Sequence, residues 1–163
     1  VTPDGRILLY YRSGGCKLGL ASAASPDDPF VRQSDKPVVD PGEGLRIEDP
    51  FVFWSKDHYE MVCKDLTGKI TGEFHAAVHL LSNDGGEWAL APHPKAWSRS
   101  VCWNDGSITT QGSIERPFIL FQNEQPAFLF AATADGPGPH DGRPGHYFAE
   151  NTWNMVIPLQ HEM

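Results

Sequence analysis

The sequence is short of positive charge. It sets 13 Lys and Arg against 21 Asp and Glu, a formal net charge of −8, and it has no basic cluster. A nucleic-acid backbone or an anionic membrane surface is therefore excluded as the natural partner. Cysteine is also scarce. Cys16, Cys63 and Cys102 are the full set, and no two of them form a CxxC pair. That number and spacing argue against a disulfide framework and against a zinc site, and leave the thiols as small buried or half-buried side chains. No run approaches the roughly 18 apolar residues needed to span a bilayer as a helix. Long helical periodicity is missing as well. No signal peptide is visible, but the chain opens at Val1 on a turn-like Thr2-Pro3-Asp4-Gly5 rather than on Met. The compartment of what reads as a soluble chain therefore stays open between cytoplasm, periplasm and secretion.

What is present is punctuation. Sixteen glycines and 14 prolines are scattered through 163 residues, enough chain for one ordinary domain with a core. Between them lie short apolar or alternating runs rich in β-branched and aromatic residues, which predict strands near 6–12, 17–23, 30–34, 49–54, 58–64, 74–82, 87–91, 97–103, 115–122, 126–133 and 152–158. This is an all-β pattern.

It also repeats. Glu48-Asp49-Pro50-Phe51-Val52-Phe53-Trp54 returns 67 residues later as Glu115-Arg116-Pro117-Phe118-Ile119-Leu120-Phe121. Each copy leads through a polar break into a second apolar run, His58–Cys63 and Ala127–Ala132. The central copy continues with Phe74–Ser82, the turn Asn83-Asp84-Gly85-Gly86 and the short run Glu87–Ala91. The N-terminal segment shares that rhythm: Ile7–Arg12, Leu18–Ser22, the turn Ser25-Pro26-Asp27-Asp28-Pro29, then Phe30-Val31-Arg32. Each unit thus reads as antiparallel strands, four when complete, as in the blades of a β-propeller. The blades fall at about 1–45, 46–113 and 114–163, with the opening strand of the first unit absent. Two and a half to three blades are fewer than the roughly four to eight of a closed ring. The readings left open are a partial set, a ring completed by a second copy, and an open sandwich. Uncovered blade faces make association the physical expectation.

The repeat begins on carboxylates. At the start of an innermost blade strand, Asp49 and Glu115, with Glu48 and Arg116 beside them, would point toward a central funnel. Two carboxylates in different surroundings can divide acid and base roles, which is what glycoside hydrolysis needs. The competing reading is structural: a repeated Glu accepts backbone hydrogen bonds at the blade junctions. Spacing alone leaves the two level.

The ordered set Asp4-Gly5 with Leu9-Tyr10-Tyr11-Arg12, Ile47-Glu48-Asp49-Pro50-Phe51, Ser82-x-Asp84-Gly85 with Trp88, and Ile114-Glu115-Arg116-Pro117 resembles the five-bladed propellers of glycoside hydrolase family 43 and the related levansucrase and invertase families. The resemblance runs over nearly the whole chain and about three of the family's five blades. It implies a domain acting on the glycosidic bonds of an oligosaccharide or polysaccharide, without a cofactor. It implies that Glu115 is the general acid and that Asp49 is the acid that stabilises the transition state. The family's first Asp, the base or nucleophile, has no match here and would lie before Val1, and the residue after the acid is Arg116 where the family usually has Gly or Cys. The alternative is a catalytically silent carbohydrate-binding module, or an oligomerising module that supplies blades to an assembly.

Further polar and aromatic residues accompany these. Arg46 and Arg116 are candidates for sugar hydroxyls, and Glu48 sits beside them. Asp65 either reaches the funnel or caps the turn before Thr67-Gly68. His79, on one strand face with His75, is read as a hydrogen-bonded histidine before a metal ligand, so no metal is assigned. Trp54, Trp97, Trp103 and Trp153 either floor a sugar site or pack between blades. Ser107 and Ser113 lack a nucleophile-elbow setting. Gly136-Pro137-Gly138-Pro139-His140, which lacks a Lys and a following helix, is read as a surface loop rather than a phosphate loop.

Overall fold

A computed structural model describes residues 2, 4–135 and 151–159. The segment read as a Gly/Pro-rich loop, beyond its first residue Asp135, lies outside them. Among the described residues every regular element is a β-strand and all pairing is antiparallel. Among the described residues no helix is long and apolar enough to cross a membrane. The chain divides into two compact units, Val1–Ala96 and Trp97–Met163.

The first unit holds two sheets. One has the order β1-β2-β3, formed by Ile7–Ser13, Lys17–Ala23 and Val31–Arg32. The other has the order β4-β5-β6-β7, formed by Ile47–Ser55, His58–Asp65, Ala77–Ser82 and Ala89–Trp97. The first sheet thus has three strands and the second four. The sheets meet over Leu18, Val39, Ile47, Met61, Cys63, Val78 and Leu80, with Tyr10, Val52 and Trp88 packed against them. Leu18, Met61, Cys63 and Val78 are fully buried. Side chains of the Leu or Met class contribute roughly 1.5–3 kcal/mol each when removed from water, so this cluster anchors the unit.

The turn Ser82-x-Asp84-Gly85 is a clamp. The Gly85 amide donates to Ser82 Oγ at 2.8 Å, and the Gly86 and Glu87 amides donate to Asp84 Oδ1 at 2.8 and 2.9 Å. Those two amides hold the Asp84 carboxyl below the usual range. The Tyr10 hydroxyl and the Trp88 indole both donate to the Gly85 carbonyl, at 2.6 and 3.1 Å, tying the two sheets together.

In the second unit, the hairpin β8-β9 is formed by Ser100–Cys102 and Ile108–Thr110, and the sheet β10-β11-β12 by Ser113–Gln122, Gln125–Ala134 and Thr152–Pro158. Val101, Ile114, Ala131 and Met155 form its core, flanked by Trp97, Trp103 and Ile157.

Several boundaries differ from expectation. β7 continues to Trp97 through Pro92 and Pro94, because it is an edge strand where a missing amide donor is tolerated. β6 begins at Ala77, since Phe74 and His75 belong to the preceding turn and His75 has a φ of 62°. The strand expected over 97–103 shrinks to Ser100–Cys102, and it pairs with Ile108–Thr110, where no strand was expected. Cys16 and Cys63 are buried as expected, but Cys102 is exposed. Burial pushes the Cys63 thiol up, so it is a poor nucleophile.

Candidate functional site

The two Glu-x-Pro-Phe boxes share one backbone. On β4, Asp49 and Pro50 both oppose Cys63, between the pairs Glu48↔Lys64 and Phe51↔Val62. On β10, Arg116 and Pro117 both oppose Ala131, between Glu115↔Ala132 and Phe118↔Phe130. Each is a β-bulge, a place where proline fits because the ladder is already interrupted. The residue before each proline is left-handed, with φ 56° at Asp49 and 50° at Arg116. For a residue with a Cβ this costs on the order of 1 kcal/mol or more, and such strain gathers at sites that use it. The cores beneath match as well: Ile47, Cys63 and Val78 in one sheet, Ile114, Ala131 and Met155 in the other.

The side chains around the boxes differ. In the first copy Lys64, 3% exposed, lies across the strand pair from Glu48. Its Nζ is 2.7 Å from Glu48 Oε1 and 3.5 Å from Asp49 Oδ2. Glu48 Oε2 also takes a hydrogen bond from the Arg12 guanidinium of β1. A buried ammonium is tolerable only when paired in this way. Glu48 thus joins the two sheets of its unit, and Asp49 is drawn into the same charge cluster.

In the second copy the residue across from Glu115 is Ala132, and the next residue in the row is Asn154. The small side chain leaves room. Glu115 and Arg116 line a groove of about 470 Å³, together with Ser113, Ala132, Trp153 and Asn154. Arg116 Nη1 is 3.2 Å from Glu115 Oε2, with the Arg side chain 73% exposed. Trp153 presents 37% of its surface. Cross-strand neighbours share a sheet face, so the groove brings a carboxylate and an amide together, with a guanidinium and an indole at its wall. That set can bind sugar hydroxyls and stack on a sugar face.

Below this groove Thr133 fills the place that Asp65 has in the first copy, since Ile114↔Thr133 matches Ile47↔Asp65. The Thr133 hydroxyl bonds the Ser113 carbonyl at 2.7 Å. Beyond Ala134 and Thr152, the ends of β11 and β12 are joined by Asp135 and Asn151. The Asn151 amide donates to Asp135 Oδ1 at 3.0 Å, and its side-chain Nδ2 to Oδ2 at 2.7 Å.

The remaining sequence candidates are dispersed. Asp65 has no exposed surface, and its carboxylate receives six hydrogen bonds from Thr67, Gly68, Ile70 and Thr71. Burial opposes its ionisation, but the Thr71 and Thr67 donors outweigh that and hold it below the usual carboxylate range. The turn-organising role is the one it fills. His79 Nε2 is 2.8 Å from Glu60 Oε2, and His58 Nε2 is 3.6 Å from Glu60 Oε1. Trp54 packs edge-on to Tyr59 at 4.6 Å, six residues along β4 from Glu48 and so about 20 Å away. Arg46 is exposed just before β4, and its carbonyl accepts from the Leu66 amide at 2.9 Å. Asp49 and Glu115 belong to different units. Among the described residues no group of three or more His, Cys, Asp and Glu side chains is placed to hold a metal ion.

Sequence reasoning passed over Lys64, Arg12, Glu60 and Asn154. Two-residue turns at 56–57 and 123–124 start the register of each hairpin. Counting back from the first would set Asp65 against Glu48; the bulge at Asp49-Pro50 shifts the register by one and brings Lys64 there instead, so Lys64 could not be found from the turn alone.

No protein-family model matches this sequence, and no curated protein does. Among solved structures, the fold is similar to that of a BT0996 RGII complex, with a TM-score of 0.58 and 10% identity over 96% of this chain. The chain spans 40% of that protein's length.

Proposed function

We propose that this chain is a carbohydrate-handling module, built from blades of the family 43 propeller type at about 1–45, 46–113 and 114–163, that holds an oligosaccharide in the Glu115 groove. The observation that carries this reading is the contrast across the strand pair. Where the first copy has Lys64 opposite its Glu, the second has Ala132, and the carboxylate fronts a groove with Trp153 and Asn154. A similar fold in a carbohydrate complex, that of BT0996 and RGII, agrees with a sugar ligand. In this reading Glu115 protonates the leaving glycosidic oxygen, Asp49 keeps a transition-state role only as what the family resemblance implies, and no residue of this sequence matches the family's base. Glu48, Arg46, Trp54, Asp65 and His79, read from the sequence as sugar contacts, belong to the first unit, whereas the Glu115 groove belongs to the second. Completion of the ring by a second copy belongs to the same proposal and is read by sedimentation.

A second reading, sugar binding without turnover, is favoured by one observation. Lys64 reaches both Glu48 and Asp49, so Asp49 is part of a structural charge cluster. Glu115→Gln separates the two. On aryl-glycoside substrates the expected outcome is a loss of turnover of about 10²- to 10⁴-fold, with oligosaccharide affinity retained. Unchanged hydrolysis would remove Glu115 as the acid. Binding without any turnover in the parent protein supports the second reading, and no binding to any oligosaccharide defeats both.

A further inference from the structure

The groove carries a charge that its first-copy counterpart lacks. At equivalent left-handed positions of the two bulges stand Asp49 and Arg116, an acid and a base on the same backbone. Arg116 is at the groove wall, its guanidinium largely in water yet drawn to Glu115 at 3.2 Å. Resting on the carbohydrate reading above, we infer that this groove selects anionic sugars, with the Arg116 guanidinium receiving the carboxylate of a uronic acid residue.

The chemistry favours this in three ways. A guanidinium is a planar fork of five donors, able to serve two carboxylates at once, so it can hold a ligand carboxylate beside Glu115. Glu115 and Arg116 are the charged residues among the described lining, so the wall is locally neutral although the chain carries −8. Charges elsewhere on the surface are screened beyond roughly 8–10 Å at physiological salt, so the near guanidinium decides the sign that an incoming ring meets. Finally, the left-handed backbone at Arg116 fixes the direction in which the side chain leaves the strand. This left-handed position carries Arg in place of the Gly that would relieve its strain.

The test uses the full chain and calorimetric titration with three probes. These are a tetrasaccharide containing glucuronic acid, its carboxyl-reduced neutral form, and a sulfated neutral tetrasaccharide. The acidic probe is expected to bind about 10- to 100-fold more tightly than its reduced form, and added salt should erode that margin. Arg116→Gln should remove it. So should Arg116→Gly, which suits the left-handed backbone and whose melting temperature reports that the fold is kept. A stronger response to the sulfated probe that also vanishes in both variants supports the anion site and assigns its source to sulfate esters. Equal binding of the acidic and reduced probes overturns the inference while leaving the carbohydrate reading intact. A preference that survives both variants overturns the assignment to Arg116. Failure of all three probes to bind overturns the carbohydrate reading with it.

Discussion

The same seven-residue box is used twice, and the two uses have diverged. Around Glu48 the acid is surrounded: Lys64 lies across the strand pair, Arg12 reaches over from the neighbouring sheet, and Asp49 shares the ammonium. Around Glu115 the row is opened by Ala132 and continued by Asn154, with Arg116 and Trp153 at the groove wall. The backbone, the bulge and the buried row beneath are alike. The repeated carboxylate thus sits in a charge cluster in one copy and beside a groove in the other. The residue that decides which lies on the next strand, outside the repeated motif.

The largest effect should come from the copy that holds charge inside. Glu48→Ala removes the 2.7 Å partner of a 3%-exposed ammonium and leaves it the more distant Asp49 at 3.5 Å, and its expected cost is about 3 kcal/mol, read from urea unfolding. Glu115 is itself only 16% exposed, but its partner Arg116 is 73% exposed and stays solvated when the acid is removed, so Glu115→Ala is expected to cost less, about 1 kcal/mol. If the two cost the same, the division of roles fails.

Converting one copy into the other sharpens the contrast. Ala132→Lys sets a cation opposite Glu115, as Lys64 is set opposite Glu48. It should fill the groove and weaken oligosaccharide binding by at least about tenfold, or roughly 1.4 kcal/mol. Smaller again is the backbone test. Asp49→Gly and Arg116→Gly relieve left-handed strain but loosen the unfolded chain, so each should change stability by less than about 1 kcal/mol. A much larger loss at Asp49 alone would show that its carboxylate, not its backbone, anchors the first box.

The smallest effect is a pH dependence confined to the first unit. The hydrogen bond with His79 holds the Glu60 carboxyl below its usual range against the opposing effect of burial, with Ser55 assisting. A depressed folded pKa contributes stability above the unfolded value, and that stability is lost as pH falls through the folded one. The β4–β7 sheet should therefore weaken as pH drops below about 4.5, and Glu60→Gln should reduce that limb in amide exchange, leaving the part that Asp65 and Asp84 contribute. The matching positions in the other sheet, Phe128 and Val156, are apolar, so that sheet should show no such limb.

Much of this was legible beforehand. Alternation and turn residues gave the sheets around Ile7–Ala23, Ile47–Ser82 and Ser113–Pro158, because each depends on contacts within a hairpin. β7 was cut short because Pro92 and Pro94 speak against a strand unless one knows that it lies at an edge. The hairpin partner Ile108–Thr110 was lost in a polar stretch, Asn104–Gly112, whose pairing rests on few apolar side chains. For Asp65 the sequence favoured a turn over a ligand, and its carboxylate is buried among donors of the Thr67–Thr71 turn.

The sequence by itself determined the all-β class, the repeat and the acidic start of each box, since these follow from local periodicity and from residue identity. Only the tertiary structure decided what each acid faces. That depends on register across strands and on a neighbouring sheet, where Lys64 and Arg12 neutralise Glu48 and Ala132 leaves space in front of Glu115. The physical reason is that the setting of a carboxylate is fixed by groups within a few ångströms in space, which for Glu48 lie 16 and 36 residues away along the chain.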